Sequence, residues 1–218
     1  MTELVFILDR SGSMSGLESD TIGGFNSMLA QQKKEAGEAL VSTVLFANDS
    51  TVIHDRLPLG EVPPLTEKKY FTCGCTALLD AVGGAIHHIG NIHKYARRED
   101  IPEKTMFIIT TDGYENASRR YDYERVRRMI ERQKERYGWE FLFLGANIDA
   151  EQTAGDFGIS PRCATDFHAD GQGIKASFEA VACAATAVRG GADLDDLSAP
   201  DFLGGVRDDY RSRRRMKR

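Results

Sequence analysis

No apolar run among the 218 residues approaches the roughly 18 that a helix needs to cross a bilayer, so no membrane span is expected. No secretory leader is expected either. The first apolar run, Leu4 to Leu8, is short, has no basic residue ahead of it and runs straight into Asp9. A cytoplasmic location is the expectation. Cysteine is scarce: Cys73 and Cys75 flank Gly74, and Cys163 and Cys183 stand alone. They lack the paired two-cysteine spacings and nearby helically spaced histidines that structural zinc requires, so reduced thiols are expected. Cys183 falls in a periodic helical segment and reads as a small core residue. Excess basic charge is absent as well. A formal net charge of −5 argues against a nucleic-acid binder. No glycine-rich phosphate loop follows Leu8 in either the dinucleotide or the P-loop pattern.

What is present suits one sizeable α/β domain. Hydrophobic residues make up 41% of the chain and charged residues 28%, enough apolar material for a well-buried core. Leu4–Leu8 (LVFIL) is a continuous run of strand formers, the pattern of a strand buried on both faces of a mostly parallel sheet. Ile22, Phe25, Met28 and Leu29 recur at helical steps and predict a helix over residues 17–37. Val41 to Phe46 and Thr51 to Arg56 flank the turn Asn48-Asp49 and predict an antiparallel edge hairpin. Pro58, Pro63 and Pro64 mark a loop. A second helix starts near Thr76 and carries Leu78, Val82, Ala85, Ile86 and Ile89. Strands at residues 105–110 and 139–144 bracket a charged helix over 121–136 that ends at Gly138. A short helix near Ala150 and a weak edge strand over 164–168 follow. Ile174, Phe178, Val181, Ala185 and Val188 predict the last helix, stopping at Gly190-Gly191. Alternating strands and helices point to a doubly wound, Rossmann-like sheet of about six mostly parallel strands, with helices on both faces. This domain spans residues 1–190. Residues 191–218, with the basic end Arg211 to Arg218, read as a mobile, charged tail.

The chemistry-bearing residues stand where strands end. Asp9-Arg10-Ser11-Gly12-Ser13 follows the first strand, and in doubly wound folds ligands bind beyond the carboxyl ends of the strands. Alternate positions in a tight turn can aim one carboxylate and two hydroxyls at one spot, with Gly12 letting the backbone curl. Such oxygens suit a hard cation like Mg²⁺, which takes an octahedron at about 2.1 Å and keeps several waters. Thr76 opens the helix after the proline loop, and Asp112 follows the strand ending in Thr110-Thr111. Both can join the first three.

These segments carry a resemblance. The chain resembles, over about residues 3 to 190, a von Willebrand factor A-type domain with a metal-ion-dependent adhesion site, of the stand-alone bacterial kind. Asp9-Arg-Ser-Gly-Ser13 is similar to the family's Asp-x-Ser-x-Ser motif, Thr76 to its threonine, and Asp112 in Thr-Thr-Asp-Gly to its last aspartate. The resemblance implies that Ser11, Ser13 and Thr76 bind Mg²⁺ directly, with Mn²⁺ or Ca²⁺ as alternatives, and that Asp9 and Asp112 bind directly or through water. It also implies an open position on the ion for a partner's Asp or Glu, and hence an intracellular adaptor or assembly factor. Stand-alone relatives often work beside AAA+ ATPases. Arg10 adds positive charge beside the site, and Cys75 is not something the motif requires.

Other features read more plainly. His87, His88 and His93 do not share one helical face and are expected at or near the surface. Glu124 and Arg128 alternate sign on the charged helix, the mark of a solvated face. Gly145-Ala146-Asn147 reads as a turn that could border the site. The basic C-terminus reads as solubilising, with contact to phosphate or acidic protein as the alternative. Two other functions stay open. One is a metal-dependent phosphatase or hydrolase. However, an aspartyl-phosphate enzyme would want an acid two residues after its nucleophile, where Ser11 stands, and no Ser-His-Asp ordering is visible. The other is an ion that merely staples three loops together.

Overall fold

A computed structural model describes residues 1–216 of the chain. Six strands form one sheet: β1 (Thr2–Asp9), β2 (Ala39–Phe46), β3 (Ser50–Pro58), β4 (Lys104–Thr111), β5 (Glu140–Gly145) and β6 (Ala164–Asp166). Their spatial order is β3-β2-β1-β4-β5-β6. Only the β2–β3 pairing is antiparallel. The sheet is therefore doubly wound, as expected, with its switch point between β1 and β4. The central β1 is buried along its whole length, which explains its unbroken apolar pattern. Near its start the buried Glu3 is held by Arg56 Nε at 2.8 Å and His93 Nε2 at 2.6 Å.

The helices are α1 (Glu18–Gln32), α2 (Leu78–Tyr95), α3 (Tyr123–Tyr137), α4 (Ala150–Asp156), α5 (Gly171–Arg189) and α6 (Gly204–Met216). α1 packs with α5 and α2 with α3, and the helices cover both faces of the sheet. Phe25 of α1 meets Phe6 and Phe178 edge-on, at 5.2 and 6.3 Å, and joins α1 to the sheet and to α5. α1 stops at Gln32, short of the expected Gly37. Arg189 from α5 reaches across and donates to the carbonyls of Gln32, Ala36 and Gly37, which satisfies the end of α1 without further helical turns. α3 begins with Asp122 accepting from Arg125 N and ends at left-handed Gly138.

Two expectations need correction. Cys183 is exposed, and Cys163 is the buried cysteine. The apolar stripe of α5 runs through Ile174, Phe178, Val181, Ala185 and Val188, and position 183 lies two residues from Val181, on the outward side. Beyond Gly191 the chain also departs from a tail: it turns and then forms α6, which packs on α5 and β6. Leu203 and Val206 are buried there, and the Tyr210 ring lies 4.7 Å from that of His168. Arg207 donates to the carbonyls of Pro161, Arg162 and Ala164, each at 2.9 Å, beside edge strand β6. α6 thus covers an edge that would otherwise present unpaired backbone groups. The last two residues of the basic end, 217 and 218, lie outside the described residues.

Two stability measurements follow from these contacts. Arg207→Ala strands three carbonyls and should lower urea-unfolding stability by about 2 kcal/mol; an unchanged midpoint would contradict the edge-covering role of α6. Glu140, at the start of β5, is pushed from 4.5 up to about 7, by burial first and then by Asp193. A raised carboxyl contributes stability that is complete below its unfolded value and is lost as pH rises through the folded one. Stability should therefore fall between about pH 4.5 and 7, by on the order of 2 kcal/mol, and Glu140→Gln should flatten that slope.

Candidate metal centre

β1 delivers Asp9 to the carboxyl edge of the sheet, beside the end of β4. The Asp9 side chain is 1% exposed and fully engaged. Its Oδ1 accepts from Ser11 N at 2.7 Å, which curls the following turn back over the strand end. Its Oδ2 accepts from Thr111 Oγ1 at 2.7 Å and Asp112 N at 3.2 Å, which ties β1 to β4 across the switch point. The buried Tyr70 phenol donates to the Asp9 carbonyl at 2.5 Å, and burial pushes its pKa well above the ordinary range, so it stays a donor.

The turn continues as one short 3₁₀ segment, Gly12–Met14, and sets Ser11 Oγ and Ser13 Oγ 2.9 Å apart. The loop before α2 lies against it. Cys73 N donates to Arg10 O at 2.8 Å, and Gly12 N to Gly74 O at 3.0 Å. Gly74 has φ +68°, and a Cβ there would meet the Asn48 side chain at 2.8 Å. Asn48 Oδ1 in turn accepts from Cys75 N at 2.7 Å. Thr76, at the end of this loop, is buried, and Asn116 clamps it by accepting from Thr76 N at 2.9 Å and donating its own N–H to Thr76 O at 3.0 Å.

The hydroxyls converge. A Cβ added at Gly113 would sit 3.3 Å from Ser13 Oγ and 3.4 Å from Thr76 Oγ1. The lack of a side chain at Gly113 thus leaves a cradle facing both hydroxyls, next to Asp112. Asp112 is 2% exposed and accepts from Asn147 Nδ2. Its carboxyl is pushed up to about 6 by burial and by the neighbouring Asp9 charge, against the Asn147 hydrogen bond. Two buried carboxylates and three hydroxyls without a compensating positive charge fit a hard divalent cation. Among the described residues, no three His, Cys, Asp or Glu side chains gather to hold a metal elsewhere.

The structure therefore brings all five expected residues, Asp9, Ser11, Ser13, Thr76 and Asp112, to one end of the sheet. Asn147 belongs with them. Its left-handed backbone, φ 54°, fits the turn expected there, yet its side chain serves the site. Tyr70, Asn48, Thr111 and Asn116 were not foreseen. Only Thr111, adjacent to Asp112, carried a hint in its position. Arg10 turns aside and lies over the Phe71 ring, 4.8 Å from its centroid. The histidines are occupied elsewhere: His54 with Thr43, His87 with Asn91, His88 with Asp55, His93 with Glu3 and His168 with Tyr210 O. None bonds to Ser11 or Ser13.

No family model matches the chain, and no curated protein matches it. Solved structures do. Proximal thread matrix protein 1 from the mussel byssus, in a form with a zinc-occupied MIDAS motif, is 14% identical with a TM-score of 0.58, over 85% of this chain and 46% of that one. A von Willebrand factor type A protein from Catenulispora acidiphila is 13% identical with a TM-score of 0.53, over 83% of this chain and 41% of that one. The manganese-loaded TRAP protein of Plasmodium vivax is 16% identical with a TM-score of 0.53, over 81% of this chain and 71% of that one. This chain spans less than half the length of the mussel protein. At these identities the likeness is one of fold, and it defines the class: the chain has a von Willebrand factor A-type fold, with its candidate metal centre at the carboxyl edge of the sheet.

Calorimetric titration checks the centre. Mg²⁺ or Mn²⁺ should bind the wild type at a single site, Thr76→Ala should weaken binding by about tenfold, on the order of 1.4 kcal/mol, and Asp9→Ala should abolish it. Equal binding by all three proteins would contradict the assignment.

Proposed function

We propose that the chain is a divalent-metal-dependent protein-binding module, an intracellular adaptor or assembly factor rather than an enzyme. The observation that carries this reading is the convergence of the Ser13 and Thr76 hydroxyls on the cradle at Gly113, beside two buried carboxylates. Ser11, Ser13 and Thr76 would hold Mg²⁺, with Asp9 and Asp112 beside it and Mn²⁺ or Ca²⁺ as substitutes. When bound, the ion supplies Lewis acidity, which neutral hydroxyl ligands leave largely intact for an outside Asp or Glu carboxylate. Asp9 orients the serine turn and Asn147 orients Asp112. A non-catalytic role is supported by the lack of any histidine on either serine, since a hydroxyl nucleophile needs an adjacent base. No helix among the described residues is long and apolar enough to cross a membrane, which accords with a cytoplasmic setting. A partner that presents acidic side chains, with an AAA+ ATPase as one candidate, follows from the same reading.

Peptide arrays test the proposal. Peptides carrying Asp or Glu should bind in Mg²⁺, and binding should vanish with EDTA or when the acid becomes Asn or Gln. Peptide binding that survives EDTA would leave the ion a staple for the loops, and phosphatase turnover lost in Asp9→Asn would make the chain an enzyme.

A further inference from the structure

At the other end of the sheet, away from the metal centre, α2 and α3 part to leave a groove with a volume of about 670 Å³, a size typical of small-molecule sites. The groove is closed at one side by Ile101 and Pro102, which lead into β4. Its lining is mixed, with Ile86, Met129 and the largely buried Trp139 as the apolar part and Asn91 and Gln133 among the polar part. Its rim carries Lys94 from α2 and Arg125 and Arg132 from α3, and among the described residues no carboxylate lines it. This inverts the acidic balance of the whole chain.

Among the described residues the Lys94 and Arg132 side chains make no hydrogen bond or ion pair, and the Arg125 side chain makes one weak bond, to Arg120 O at 3.2 Å. Among the described residues none of the three forms an ion pair: Lys94 lies over Tyr95, Arg125 lies over Tyr121, and two of the three acids of α3 are engaged with other residues, Glu124 with Arg128 and Glu131 with Arg127. His93 faces the groove as well, but its Nε2 is taken by buried Glu3. His87 is bonded to Asn91. Two guanidiniums and an ammonium around a mixed lining that includes Met129 and Trp139 match a multiply charged phosphate, which arginine forks grip better than a single carboxylate, attached to a flat heterocyclic body that offers both apolar faces and polar edges.

We propose that this groove binds an organic phosphate of nucleotide size, with its phosphates on Lys94, Arg125 and Arg132 and its body over Ile86, Met129 and the edge of Trp139. This site is independent of the metal reading. Trp139 is the only tryptophan in the chain, so its emission reports on the groove directly.

The probe is ADP, titrated in magnesium-free buffer so that the metal centre takes no part, with inorganic phosphate and a polyglutamate peptide as comparators. ADP should change Trp139 emission saturably and more weakly as salt rises. Lys94→Glu combined with Arg132→Glu should weaken it by about tenfold or more. Gly90→Leu should block it sterically, because a Cβ at Gly90 already points towards Gln133 and Trp139, at 3.5 and 4.0 Å. Unchanged circular dichroism and Mg²⁺ titrations identify the variants as folded. No ADP response up to millimolar concentration would overturn the proposal. So would a response indifferent to both variants, or equal binding by inorganic phosphate or polyglutamate.

Discussion

The buried carboxylate of Asp9 is the constraint on which the rest of the metal end depends. One oxygen sets the serine turn through Ser11 N, and the other joins β1 to β4 through Thr111 Oγ1 and Asp112 N. A carboxylate taken out of water is tolerated only when its lone pairs are filled. Here the groups that fill them are the backbone and hydroxyl of the neighbouring ligand segments. The same contacts that make Asp9 affordable to bury also place Ser11, Ser13 and Asp112.

The remaining residue of the candidate centre, Thr76, arrives through a loop with no regular structure of its own. That loop is held by backbone pairing to the serine turn, by Asn48 beneath Gly74 and by Asn116 around Thr76. Each pin is a hydrogen bond from an amide or backbone group, so the loop can present a hydroxyl without bringing further charge. The result is a candidate centre whose side-chain oxygens are mostly neutral hydroxyls, with two acids set behind them. Such a donor set favours hard cations and leaves an ion electrophilic. It differs in kind from a thiolate or imidazole cage, and the cysteines and histidines of this chain stay out of it.

Much of this was legible in the sequence, for physical reasons. Buried parallel strands write themselves as unbroken apolar runs, and β1, β4 and β5 stand where those runs lie. The five oxygen-bearing residues sit at strand and loop ends, where spacing and turn chemistry expose them. What stayed hidden are side chains that act across large sequence separations. Asn116 and Asn48 look like ordinary turn residues, and Tyr70 like one more aromatic. Nothing local marks their partners. Helix α6 was obscured differently: Leu203, Val206 and Tyr210 do recur at helical steps, but arginines and aspartates surround them. Its charges turn out to be structural, with Arg207 on the β6 edge and Arg213 on Asp170 and Asp209.

The central claim is that one divalent cation is held between Ser11, Ser13 and Thr76. Crystals grown with Mn²⁺ and measured for anomalous scattering test it most directly. The account predicts one strong manganese peak within coordination distance of those three hydroxyls, with Asp9 and Asp112 in contact or one water away. A peak elsewhere, or no peak beside an ordered serine turn, would contradict it.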